Sequence, residues 1–339
     1  MPNASEFQHG RRMNINNETP QSALRPISIE QLVEHYTAKE LSADNSSKAY
    51  STRSVYKVYF RNWILPRWGE YRISDVKTVA VEEWLNTLTL ANGTKAKIRN
   101  LMSALFKHAM RHEWIDRNPI SLVRQSAKRE DVPEVLDVGE MQSLLTELQE
   151  PYRTMVFLAA STGLRVSELL ALKWADLDFE SLEISLSRAV VHQVVGNLKT
   201  EASRKPIPVA PELAESLLTL RLRSAYNQPE DWVFASPETG GRQPFWPENL
   251  LRRHIRPAAK RVGIGKRIGW HTFRHSYATL LKANGEDVKT VQESLRHATS
   301  RITLDTYTQA TTPAKRQAQS KVVRMILPKE SESRAETGA

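Results

Sequence analysis

Residues 270–308, WHTFRHSYATLLKANGEDVKTVQESLRHATSRITLDTYT, bring His271, Arg274, His297 and Tyr307 together in one run of apolar helical pattern. His271-Thr272-Phe273-Arg274-His275 opens a helix whose apolar face continues at Tyr277, Ala278, Leu280 and Leu281, and Gly285 stops it. A second short helix carries Val288, Val291 and Leu295 to His297, and Thr303, Leu304 and Tyr307 then repeat the helical spacing. Arginine and histidine at this density suit an oxyanion, because guanidinium is planar, always charged and a forked donor to phosphate. A tyrosine nearby can act as nucleophile. Forming its phenolate at pH 7 costs about 4 kcal/mol, so attack needs a base or strongly cationic surroundings, which this stretch supplies. His271 and His275 also have the i, i+4 spacing of a helical zinc pair. No acidic residue lies between them as in the metalloprotease pattern, so no metal is expected here.

The chain has 339 residues, 40% hydrophobic and 25% charged, enough for two domains plus tails. Lys+Arg 48 against Asp+Glu 38 gives a net charge of +10, and a protein this basic favours polyanions, above all nucleic acid. With no cysteine, disulfide frameworks, thiolate metal sites and cysteine nucleophiles are excluded. Apolar runs such as Met155 to Ala160 are far too short to span a bilayer, and the polar N-terminus lacks a signal core. The expected location is the cytoplasm, on the nucleoid, with no membrane partner.

Residues 1–26 are polar, carry Pro20 and Pro26, and read as a disordered arm. Ser28-Ile29-Glu30-Gln31 is a capping box opening a helix with Leu32, Val33 and Tyr36. Further helices are expected over 47–64, stopping at Pro66, over 78–88 and over 94–114. The last buries Ile98, Leu101, Met102, Leu105, Phe106 and Ala109, while Lys95, Lys97 and Arg99 lie mostly off that stripe and can meet DNA phosphates. Residues 27–118 thus form an all-helical domain, and 119–133 read as a linker.

The second domain, 134–312, begins with helices over 135–148 and 152–160. Thr162-Gly163-Leu164-Arg165 then turns the chain into another helix, and an arginine at such a junction can point into a cleft. Glu168, three positions on, fits a role in orienting and balancing the region. The period changes to alternation at Leu182, Ile184 and Leu186, then Val190, Val191, Val194 and Val195, then Ile207 and Val209, which predicts one small antiparallel sheet. Lys199 lies on a basic turn before the last strand, from which it can reach a substrate. A helix is expected from Pro211 to Arg223, then a loop over 232–245, then a basic helix from Pro247 with Arg252 and Arg253 as further DNA contacts. Residues 313–339 hold a small apolar group among basic residues and read as a tail that docks on its own domain or a neighbour.

Thr-Gly-Leu-Arg165-Val-Ser-Glu-Leu, Leu-Lys199-Thr, His271-Thr-Phe-Arg274-His, Leu-Arg-His297 and Thr-Leu-Asp-Thr-Tyr307, in that order and at these intervals, resemble the tyrosine recombinase (phage integrase) family. The helical domain is similar to that family's core-binding domain. One departure is visible: the family usually has glycine before its second histidine, and this chain has Arg296, which bears on a tight turn and on local charge.

The resemblance implies a mainly α fold with a small antiparallel sheet, built as a helical core-binding domain followed by an α+β catalytic domain. It implies site-specific cutting and rejoining of double-stranded DNA through a 3′-phosphotyrosyl link at Tyr307, without metal, cofactor or nucleotide. Arg165 and Arg274 would hold the non-bridging oxygens and His297 would add a hydrogen bond. Lys199 would protonate the 5′-oxygen and His271 would take the tyrosine proton, although these two can share roles. A homotetramer on two DNA sites is implied, with a monomer possible free in solution and the tail after Tyr307 a candidate protomer contact. Two rival activities fit parts of the pattern: a type IB topoisomerase-like relaxase, and a DNA-binding regulator that keeps the fold without cutting.

Overall fold

The computed structural model describes residues 27–42, 48–127, 133–198, 200–297 and 319–320. The expected arm over 1–26, Lys199, Tyr307 and nearly all of the tail lie outside the described residues. The chain divides into two compact units, residues 1–130 and 131–339.

The first unit is helical. Helix α1 (Ile29–Glu40) starts at the expected capping box: Ser28 Oγ accepts the Gln31 N–H at 3.2 Å and Gln31 Oε1 accepts the Ser28 N–H at 3.1 Å. Helix α2 (Tyr50–Tyr59) does not stop at Pro66 as the sequence suggests. It widens into a π-turn over Phe60–Ile64 and continues as α3 (Leu65–Trp68). Proline lacks an N–H and clashes with the carbonyl four residues back, and the extra residue in a π-turn relieves both problems without ending the helix. Helices α4 (Thr78–Thr87) and α5 (Asn92–Arg111) complete the bundle around Ile29, Leu32, Ile64, Trp68, Leu85, Ile98 and Phe106. Residues 119–123 look like linker by composition, yet Ile120 and Val123 belong to this core. Asn118 fixes the turn there, its Oδ1 accepting the Ile120 N–H at 2.9 Å while its Nδ2 donates to the Ser103 carbonyl at 3.1 Å.

Against this core, His35 of α1 meets His108 of α5 and His112, the C-cap of that helix. Burial, then His112 and Arg111, hold His108 down to about 4, and burial followed by His112 lowers His35.

The second unit opens with α6 (Val138–Glu147), α7 (Tyr152–Thr162) and the single turn α8 (Val166–Leu169). Strands β1 (Leu177–Asp178), β2 (Glu183–Ile184), β3 (Arg188–Val191), β4 (Val194–Asn197) and β5 (Ile207–Pro208) follow. They form two antiparallel sheets where the alternation suggests one: β1-β2-β5, and a separate hairpin β3-β4. The division arises at His192 and Gln193, both left-handed (φ +50° and +63°), which reverse the chain in two residues and pair Val191 with Val194. Arg188 anchors the base of the hairpin, its Nη1 and Nη2 donating to the Asp176 carboxylate at 2.6 and 3.2 Å.

Helix α9 spans Pro211–Arg223 as expected. After the loop, α10 (Pro247–Leu250) passes through a second π-turn, Leu251–Ile255, into α11 (Arg256–Arg261) just ahead of Pro257. The chain therefore carries helices across prolines twice by the same local geometry. Helices α12 (Trp270–Ala283) and α13 (Val288–Ser294) close the unit, and α12 packs along α7. Tyr277, Ala278, Leu281, Val291 and Leu295 form a small separate core between α12 and α13. Among the described residues no helix is long and apolar enough to cross a membrane.

Candidate active site

Helix α7 ends at Gly163, left-handed at φ +62°, and two residues later Arg165 stands as the N-cap of α8. Glu168 locks this corner: its Oε2 accepts the Arg165 backbone N–H at 3.1 Å and its Oε1 accepts Arg165 Nη1 at 2.8 Å. The Arg165 side chain remains 31% exposed, so a substrate can reach its guanidinium, whereas Glu168 is buried. Ser203 Oγ lies 3.5 Å from Arg165 Nη1, so the turn Glu201–Arg204, just after Lys199, comes up against this arginine.

Arg274 sits within the first turns of α12 and is buried. It donates Nη1 to the Gly163 carbonyl and Nη2 to the Leu295 carbonyl, which ties α12 to the end of α7 and the end of α13. Gly163 permits this closure. A Cβ there would sit 2.7 Å from Tyr277 Cδ1 and 2.9 Å from Leu295 Cδ2, so α12 and α13 can approach only a residue without a side chain.

The departure at Arg296 now has a structural reading. Its φ is +51°, the conformation for which glycine is favoured, so the arginine carries backbone strain. Its side chain turns inward and Nη2 meets Glu168 Oε2 at 2.7 Å, with both groups almost fully buried. One carboxylate thus serves two arginines. Burial opposes the charge on Glu168, but Arg296 and then Arg165 outweigh it and hold the carboxyl below the usual carboxylate range. Arg296 Nε and Nη1 are buried and meet no acceptor among the described residues.

His297 follows directly, its N–H donating to the Gln292 carbonyl at 3.0 Å and its carbonyl accepting Gln292 Nε2 at 3.2 Å. Burial first, then the charges of Arg274, Arg165, His275 and Arg296, push its imidazole down to about 4. The same charges would favour any anion that came between them. The site therefore combines guanidinium groups with one carboxylate and a neutral imidazole, a constellation with the charge and donors to suit an oxyanion.

His271 is exposed on the first turn of α12, its ring 6.2 Å from that of His275. Of the residues expected to act, the structure gathers Arg165, Arg274 and His297, and leaves His271 on the solvent side of the same helix end. Lys199 and Tyr307 lie outside the described residues. The carbonyls of Gly163 and Leu295, which position Arg274, are invisible to a reading based on side chains. Lys95, Lys97 and Arg99 lie on α5, where Lys97 is exposed and Arg99 spends Nη2 on the Ser121 carbonyl at 2.9 Å. Arg252 and Arg253 are exposed on the second π-turn, paired with Asn249 and Glu238 at 3.3 and 3.2 Å.

Residues 134–313 match the phage integrase family, and residues 30–89 match its N-terminal SAM-like domain. The chain belongs to the phage integrase family. A tyrosine recombinase of Pseudothermotoga lettingae is 31% identical over 238 residues, which is 68% of this chain and 77% of that one. In fold, this family member is similar to the Tn1549 transposon integrase solved with a circular-intermediate DNA (TM-score 0.71, 21% identity, 87% of this chain and 99% of that one). It is also similar to lambda integrase solved as a tetramer on a Holliday junction (TM-score 0.62, 18% identity, 85% and 80%). At these identities the two structures speak for the fold alone. The chain is accordingly a site-specific tyrosine recombinase, a DNA strand-transfer enzyme.

Proposed function

We propose that this recombinase cuts and reseals double-stranded DNA through a 3′-phosphotyrosyl intermediate on Tyr307, using Arg165, Arg274 and His297 as the cage for the phosphate. The observation that carries this reading is geometric: Arg274 is fixed on the Leu295 carbonyl two residues before His297, and Arg165 shares Glu168 with Arg296, the residue just before that histidine. Tyr307 attacks the scissile phosphorus. The bond from phosphorus to the 5′-oxygen breaks, and the phosphodiester is exchanged for a phosphotyrosyl ester of similar energy, so resealing needs no nucleotide. A well-placed donor to the developing charge is worth roughly 100- to 1000-fold in rate, which is the scale asked of each arginine. Neutral His297 donates one ring N–H to a non-bridging oxygen. Lys199, which follows buried Leu198 and precedes the turn that meets Arg165, protonates the departing 5′-oxygen. His271, exposed beside the cage, takes the tyrosine proton, and the two can share the work.

In this reading the core-binding domain runs from residue 27 through Ile120 and Val123, which pack in its core, and 134–312 form the catalytic domain, joined by the remainder of the 119–133 stretch. Lys95, Lys97, Arg99, Arg252 and Arg253 contact DNA phosphates, each adding about one unit to the salt dependence of binding. Recombination pairs two duplexes, so the assembly is a homotetramer, as lambda integrase is on a Holliday junction. The 313–339 tail is the protomer contact.

The test is a nicked suicide substrate that traps the covalent adduct. The parent protein should accumulate adduct, and Tyr307→Phe should bind the same DNA with unchanged affinity and form none. Adduct formation by Tyr307→Phe would remove that residue as nucleophile. Strand exchange between two sites, scored against relaxation of a supercoiled plasmid, separates a recombinase from a relaxase.

A further inference from the structure

We propose that His35, His108 and His112 form a binding site for one divalent transition-metal ion, zinc fitting best, that clips α1 to α5 in the helical unit. None of these residues has a part in the chemistry above. His108 lies in the last turn of α5 and His112, four residues on, is its C-cap, while His35 comes from α1, which packs on α5. One ring nitrogen from each lies within 4.8 Å of the others. Tetrahedral zinc at 2.0–2.1 Å from each imidazole sets its ligand nitrogens about 3.3 Å apart. The widest edge of the triangle must therefore close by about 1.5 Å, within reach of small rotations about the soft ring torsions of histidine.

The surroundings are those of a ligand set. His35 Nδ1 and His108 Nε2 face each other at 2.9 Å with no carboxylate or carbonyl between them, so one ring must donate to the other. An ion taking these two nitrogens leaves the remaining N–H of His108 on Nδ1. That atom lies 3.4 Å from Glu40 Oε1, the arrangement in which a carboxylate orients a metal-bound imidazole. Glu40 is itself held by Lys48 at 3.0 Å and by Arg111. Arg111 Nη2 also lies 3.2 Å from His108 Nδ1, so on metal binding it must donate to Glu40 alone. His112 Nε2 is buried and makes no hydrogen bond among the described residues. Trp114 stacks on the His112 ring (centroids 5.1 Å apart, 25° between planes) and meets the His35 ring edge-on at 4.8 Å. Three neutral imidazoles without thiolate suit zinc, and also cobalt, nickel or copper, with water in the fourth position.

The experiment uses the full-length chain without an affinity tag, stripped with chelator and dialysed. Titration with cobalt chloride should give visible bands that saturate at one ion per chain, and zinc chloride should displace them and raise the Tm. His35→Gln and His112→Gln should each weaken binding at least tenfold, while His271→Gln/His275→Gln keeps one ion per chain. X-ray absorption of the unsubstituted zinc-loaded protein should count three imidazole nitrogens, a readout that needs no variant to fold. No saturable binding at micromolar metal overturns the proposal. So does a count of two imidazoles, or loss of the ion in His271→Gln/His275→Gln alone.

Discussion

Two histidines in this molecule are held neutral chiefly by burial, each down to about 4, and they differ in the neighbours that add to it. After burial, the first neighbour acting on His108 is another imidazole, His112, whereas on His297 it is the guanidinium of Arg274, followed by that of Arg165. Imidazoles facing one another compete for a single proton and make a place for a cation that needs lone pairs. Arginines facing an imidazole make a place for an anion. A similar shift thus arises in different surroundings, and the partners are what distinguish the two sites.

Substitutions that remove one kind of neighbour separate the two cases. Arg274→Ala should have the largest effect, lowering adduct formation by about a thousandfold or more, and it should also lower the Tm, because the side chain bridges the Gly163 and Leu295 carbonyls. Single-turnover cleavage and a melting curve measure both. Arg165→Ala should cost about a hundredfold in the same cleavage assay with little change in melting, since its side chain is partly exposed and Glu168 keeps Arg296. Cleavage within a few fold of the parent would take Arg165 out of the cage.

Arg296→Gly should lower cleavage about tenfold. Relief of the strained backbone, worth about 1 kcal/mol, is set against an arginine lost from a shared carboxylate. Glu168 then draws harder on Arg165, and Arg296→Lys should restore most of the rate. A glycine variant faster than the parent would show that strain outweighs pairing.

Acid gives the smallest effect. An unfolded histidine takes its proton near 6.5, and these two take it only near 4 when folded. Between those values the unfolded chain binds more protons, so stability declines as pH falls from 6.5 towards 4. Melting temperatures across that range should show the decline, reduced in His108→Gln and in His297→Gln separately.

The parts of this architecture that can be read from sequence are those fixed by local periodicity. Helix α9 begins and ends at the expected Pro211 and Arg223, and the Ser28 capping box forms as written. The basic helix from Pro247 runs on through Pro257 as expected, but the crossing at Pro66 is harder, because a π-turn has no signature of its own and the same proline ends a helix elsewhere. Ile120 and Val123 are too few to announce a core, and only the fold brings α5 to them. In the site, charged side chains announce themselves, but Arg274 is held by two main-chain carbonyls that any sequence would supply. The three-histidine cluster is half visible as His108 and His112, and its third member stands 73 positions before His108.

Gly163 carries one further consequence. With hydrogen in place of a methyl group, it acts as a spacer of almost no thickness beneath Tyr277 and Leu295. A side chain at this position would not swap one contact for another; it would push α12 and α13 away from the end of α7, and in the proposed cage Arg274 would move away from Arg165. Under the proposed function, the spacing of the cage thus depends on a residue with no side chain, and a library randomised at position 163 and selected for cleavage should return glycine.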